Sequence, residues 1–209
     1  MPIQRKENAT LRLVQLAILT AIIVVLQLTG TAIKLNFLGT SISLVLVPIV
    51  LGAMLLGAKA GAFLGFVFGV IAFVAGGVFG GDFFTYTLFQ AQPFFTGLIC
   101  IVKGTAAGLC AGLVYNAVLK LPKGNSLLAT FLASAAAPVV NTGLFILGGL
   151  LLVSDTLNAN FVAEGQTLIY FLVIGCAGIN FLLELALNLV AAPAIFRVYQ
   201  AFAKRITKK

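Results

Sequence analysis

The chain has 209 residues, of which 61% are hydrophobic and 9% charged, with a formal charge of +8. Soluble domains carry roughly 25% charged residues, so this chain has too little polar surface for water, and lipid is the solvent that fits. The length suits one membrane domain over residues 1–209 and leaves no room for a second folded unit. A basic patch interleaved with stacking aromatics would indicate nucleic acid, but the cations sit at the ends of apolar runs, so that class is set aside.

The first apolar run, 11–29, follows Arg5, Lys6 and Arg12, as a signal peptide would. It is long enough to span, and no small-x-small cleavage site follows, so it reads as a retained helix. Further helical segments are expected at 42–56, 60–77, 93–119, 127–153 and 166–197. The second is short for a span, reaching some 22 Å at about 1.5 Å per residue, and either starts earlier or is shielded by its neighbours. The last is long enough to tilt or to project beyond the bilayer. The expected fold is an all-α integral membrane bundle of about six helices.

Orientation follows from the basic residues. With the N-terminus inside, the cytoplasmic face holds Arg5, Lys6, Arg12, Lys59, Lys120, Lys123, Arg197, Lys204, Arg205, Lys208 and Lys209, and the outer face only Lys34. This excess places both termini in the cytoplasm. Two outer connections, 29–41 and 76–92, are longer than a helix hairpin needs, whereas the inner ones are tight. The working face is therefore expected outside, with idle loop length as the plainer alternative.

Small residues recur at helical spacing: Gly57, Gly61, Gly65 and Gly69, then Gly104, Gly108 and Gly112. Such spacing lets helix backbones approach closely in lipid, and packing within the chain is the default reading. Ala17 and Ala21 form a further small-x-x-x-small pair in the first helix, a weak motif by itself. Cys100, Cys110 and Cys176 lie in apolar runs without a Cys-x-x-Cys pair, and the chain has no His, so they read as small packing residues rather than metal ligands.

Polar groups at membrane depth are few and costly. Lys103 lies ten residues beyond Pro93, about 15 Å along the helix. It pairs with Glu184, snorkels, or meets an anionic ligand. Asn180, Glu184 and Asn188 recur every four residues on one helix face, and Asn141 follows Pro138 near the centre of the fifth segment. These groups either bond helices together or line a pocket, with Asn188 the more structural. In the 76–92 connection Asp82, Thr85, Tyr86, Gln90 and Gln92 stand among Phe83, Phe84 and Phe89. That mixture suits a small-molecule pocket, or an aromatic interfacial belt.

No phosphate-binding Gly-x-x-x-x-Gly-Lys-Ser/Thr loop occurs, and without His there is no zincin motif and no Ser-His-Asp set. The chain is expected to be no enzyme, to need no cofactor and to have no ATPase of its own.

The run LVPIVLGAMLLGAKAGAFLGFVFG (46–69), IVKGTAAGLCAGLVYNAVLK (101–120), NTGLFILGG (141–149) and INFLLELALNLVAAPAI (179–195), with Ala17 and Ala21, resemble the substrate-binding S component of energy-coupling factor (ECF) vitamin importers. The resemblance covers essentially the whole chain. It implies a membrane receptor in the prokaryotic plasma membrane that binds a water-soluble vitamin from outside. It further implies docking through Ala17 and Ala21 onto a transmembrane coupling subunit carrying two ATPases, followed by toppling of the whole subunit. Pantothenate, a small carboxylate, suits Lys103 and ranks first, with folate, riboflavin, a pyridoxine-like compound or a corrinoid open. The site residues expected are Asp82, Thr85, Tyr86, Gln90, Gln92, Lys103, Asn141, Asn180 and Glu184. A stand-alone transporter or channel is the competing class, and it would need a more continuous polar path than these residues provide.

Overall fold

The computed structural model describes residues 9–33, 36–37, 40–41, 44–122 and 124–207. Arg5, Lys6, Lys34, Lys123, Lys208 and Lys209, which carry part of the orientation argument, lie outside the described residues. The chain is helical nearly throughout: α1 (Ala9–Ile33), α2 (Leu46–Leu56), α3 (Ala58–Ile71), α4 (Phe83–Ala91), α5 (Pro93–Leu119), α6 (Ser126–Leu152), α7 (Ser154–Asn160), α8 (Leu168–Tyr170) and α9 (Gly178–Thr207). Between α1 and α2 a two-residue strand β1 (Asn36–Phe37) pairs antiparallel with β2 (Thr40–Ser41). Among the described residues five stretches are long and apolar enough to cross a membrane: Ala9–Gly30, Ala58–Val78, Pro93–Leu119, Ser126–Leu152 and Leu168–Phe202.

The expected short second segment is shorter still. Leu44 and Val45 form a turn, and α2 has 11 residues, about 16 Å of helix against a hydrocarbon core of roughly 30 Å. Shielding explains its tolerance. Leu46, Pro48, Ile49, Val50, Gly52, Ala53, Met54 and Leu56 are all buried, so most of the helix faces protein. Val50, Ala53 and Met54 meet Ala111, Tyr115 and Val118 of α5, Ala129, Ala133 and Ala137 of α6 and Ile195 of α9 in the central core. Arg12 secures the far end of α2: its Nη2 donates to the Leu56 carbonyl oxygen at 2.8 Å. A cation there answers the unsatisfied carbonyls and negative dipole end of a helix C-terminus. Gly57, at φ 95°, then turns the chain into α3.

The glycines set the closest contact in the bundle. A methyl carbon built on Gly65 would run into the Gly104 carbonyl oxygen, one on Gly108 into that of Gly61, and one on Gly69 would lie 2.5 Å from the Cys100 carbonyl oxygen. The backbones of α3 and α5 therefore touch along both glycine rows, as the sequence spacing predicts.

The 76–92 connection, expected as an irregular loop, holds α4. Helix α3 first widens into a π-helical segment over Ala72–Val78, closed by the Phe79 amide donating to the Val74 carbonyl oxygen at 3.0 Å. Gly80, at φ 68°, reverses the chain. Asp82 then caps α4 by accepting the Thr85 amide hydrogen at 3.0 Å. The helix folds back over Gly76 and Gly77, where added methyl carbons would meet Asp82, Thr85 and Phe89 at 3.3–3.4 Å. Gln92, at φ −143° and ψ 73°, leaves the helical region as a residue before proline must, and Pro93 opens α5 at its first turn. A second π-helical segment, Phe171–Cys176, links α8 to α9.

The glycine contact is directly testable. Gly65→Ala and Gly108→Ala should each destabilise the solubilised protein by about 1–3 kcal/mol, because backbone must move to admit the methyl group. Gly143→Ala, where nothing lies within 4 Å, should be neutral or mildly stabilising, by at most about 1 kcal/mol. Thermal melts followed by circular dichroism compare the three, and equal shifts would refute the close packing.

Candidate functional site

Packing of α3 on α5 fixes the phase of α5. With Gly104 and Gly108 turned to α3, Lys103 is rotated by one residue, about 100°, onto the neighbouring face. That face also carries Thr96, Ile99 and Cys100, at seven, four and three residues before Lys103. These four side chains, with Phe84, Thr85 and Leu88 of α4 and Phe145 of α6, line a cavity at the α4 end of the bundle. Its volume is about 20 Å³, room for about one water-sized sphere.

The walls are mainly aromatic and aliphatic. Phe84 packs on Phe145 (ring centroids 5.7 Å apart) and on Phe161 (4.9 Å), and Phe161 stacks on Phe171 at 6.1 Å. Leu88, Ile99, Val153, Leu157, Leu172 and Cys176 complete this cluster, so α4, α5, α6, α7 and the second π-helical segment all contribute. π-Helical turns are rare and frequent at functional sites, and the second such segment adds Leu172 and Cys176 to the cluster around the cavity.

One cation stands in this apolar setting. Lys103 Nζ lies 5.1 Å from the centroid of the Phe145 ring, a distance at which the negative ring face attracts an ammonium. Asp82 is buried at 8% exposure. Its Oδ2 accepts from the hydroxyl as well as from the amide of Thr85, a lining residue. Its Oδ1 is buried without a hydrogen-bond partner among the described residues. The Thr96 hydroxyl donates to the Gln92 carbonyl oxygen at 2.8 Å, tying Gln92 to the cavity wall.

The other expected site residues divide. Asn141 sits one helical turn below Phe145 on α6, 7% exposed, with a buried Oδ1 that has no partner among the described residues. An unmet buried acceptor of this kind costs about 1–3 kcal/mol, so a ligand donor reaching past Phe145 would gain by meeting it. Asn180 and Glu184 are buried on the inward face of α9, and Asn180 Nδ2 donates to the Cys176 carbonyl oxygen at 3.4 Å. Asn188 is fully buried and donates to the Glu184 backbone carbonyl oxygen at 2.8 Å, a contact within its own helix. Tyr86 and Gln90 lie on the exposed side of α4 and do not line the cavity.

Sequence reasoning missed Thr96, Cys100 and Phe145. The signal was present: Thr96 and Cys100 share the helical phase of Lys103, and Phe145 that of Asn141. Ala17 and Ala21 are exposed on α1, which buries only a narrow line of Gln15, Leu19, Ile23 and Gln27 at four-residue spacing.

Among curated proteins no match is found. The family described as ECF transporter, substrate-specific component, matches residues 11–196, nearly the whole chain. With that match and its long apolar helices, the chain belongs to the substrate-specific components of ECF transporters.

Proposed function

We propose that this single-domain chain captures a water-soluble vitamin from outside a prokaryotic plasma membrane, both termini lying in the cytoplasm. The observation that carries the reading is the Lys103 ammonium poised over Phe145 in a cavity otherwise lined by apolar residues and two threonines. Such a site favours a small ligand with one anionic group and a compact body. Pantothenate fits this description, its carboxylate meeting Lys103 and its hydroxyl and amide groups meeting Thr85, Thr96 and, deeper, Asn141. The cavity is too small for any vitamin as it stands, so admission requires α4 to lift away from α5 and α6. Asp82, Gln92, Asn180 and Glu184 support this site from around it.

Delivery is proposed to follow by docking. The exposed Ala17 and Ala21 leave a shallow strip along α1 on which a helix of the coupling subunit lies closely, and two ATPases on that subunit supply the energy. The missing nucleotide-binding motif supports this division of labour.

Calorimetry with the purified chain tests the ligand. Pantothenate should bind, and Lys103→Met should weaken binding by about 1.5–3 kcal/mol, the range for a hydrogen bond to a charged group. Tight binding of another vitamin with no response to pantothenate would overturn the ranking. Docking is tested by Ala17→Phe and Ala21→Phe, which should abolish uptake in cells while leaving ligand affinity of the isolated chain unchanged. Normal uptake by both variants would refute the assignment of that face.

A further inference from the structure

Three aromatic side chains stand on the surface at the α4 end of the bundle. Phe79, in the turn before α4, is 79% exposed, Phe83 at the start of α4 69%, and Phe94 in the first turn of α5 74%. Each ring left in water forgoes about 1.5–3 kcal/mol of burial. The chain itself fixes their level. The spanning stretch Ala58–Val78 ends one residue before Phe79, and Pro93–Leu119 begins one residue before Phe94. Helix α4 stays at that level too. Gln92 alone joins it to α5, and Asp82, Thr85 and Phe89 pack beside Gly76 and Gly77, which belong to the preceding span. From Gly76 to Gln92 the only charged residue is Asp82, and it is buried, so this segment presents no charge to water. Phe94 also heads a stripe on α5 that continues through Leu98, Val102, Leu109 and Leu113, all exposed at helical spacing. On α4 the exposed residues Phe83, Tyr86 and Gln90 share one face, opposite the buried Phe84 and Leu88.

We propose that this aromatic face is seated in the interfacial layer of the lipid bilayer, where rings concentrate at the ends of spanning helices. Helix α4 then lies along the membrane surface, with Phe83 and Tyr86 among the lipid headgroups and Phe84 and Leu88 against the protein. That is how an amphipathic helix sits in an interface. A protein partner is disfavoured, because Phe94 is continuous with the apolar stripe of a spanning helix. Phe84, Thr85 and Leu88 form one wall of the cavity around Lys103, so lipid holds that wall from outside. The contact with lipid does not depend on what fills the cavity.

The chain contains no Trp, so single-Trp variants report on their surroundings without background. Phe79→Trp, Phe83→Trp and Phe94→Trp test the seat, each as the full chain in phosphatidylcholine bilayers brominated either near the headgroup or near the chain terminus. Each should lose more emission to the shallow bromines than to the deep ones. Val102→Trp, nine residues and about 14 Å along α5 from Pro93, should show the reverse order. All four substitutions fall at exposed positions and keep an apolar side chain. Blue emission without loss to bromine would mean that protein covers the rings, and red emission that water does; either would overturn the proposal. Hydrogen–deuterium exchange in unbrominated bilayers tests the hold on α4. Phe79→Ser, which removes the most exposed ring, should speed exchange across Phe83–Ala91 and leave Ser126–Leu152 unchanged. Unaltered exchange in α4 would refute the anchoring, as would equal acceleration in both helices, which would mark a general loosening of the fold.

Discussion

Everything in this bundle is registered against the contact between the α3 and α5 backbones. Gly61, Gly65 and Gly69 meet Gly108, Gly104 and Cys100 with no room for a side chain between them. In lipid, helices gain little from burying apolar surface against one another, so close van der Waals approach has to supply the attraction. The same contact leaves α5 no rotational freedom. With one face closed by glycine, the adjacent face is the one that looks into the protein, and Lys103 sits on it. The ammonium reaches the cavity because the residue beside it has no side chain.

The far wall is made in a different way. Helix α4 is a short element that returns over small residues and is pinned at its start by Asp82, so the lining residues Phe84, Thr85 and Leu88 arrive from a segment with few anchors. A wall with a stiff side (α5 and α6) and a lightly anchored side (α4) is suited to opening at one edge. The π-helical segments before α4 and before α9 add to this, since a widened turn has poorer hydrogen-bond geometry than the α-helix on either side of it. A separate buried cluster around Val50, Ala111 and Ala133 shares no residue with that edge.

How much of this could be read from residues alone depends on what signals it. Helix α5 begins and ends where expected, because Pro93 is a strong start and the apolar run stops at Lys120. The glycine rows predicted which faces touch. Helix α4 escaped because Phe83–Ala91 alternates aromatic and polar residues with no continuous apolar run, although Asp82 is a good cap. The π-helical segments have no local signal, being set by what packs on them. Of the residues chosen by polarity, Thr85 and Lys103 line the cavity, Asn141 is buried a turn away from it, and Tyr86 and Gln90 lie on the exposed side of α4. Choosing by helical phase from Lys103 would have added Thr96 and Cys100. The true start of α2 was hidden because Leu44 and Val45 are as apolar as the helix that follows them.

That abbreviated α2 has an architectural effect. It runs beside only one half of α5: Ile49 is near Gly108, while Val50 and Met54 share a core with Tyr115 and Val118. Among the described residues α2 lends no side chain to the cavity, whose walls come from α4, α5 and α6 alone. A relative could therefore lengthen or shorten α2 by a turn without replacing a single lining residue.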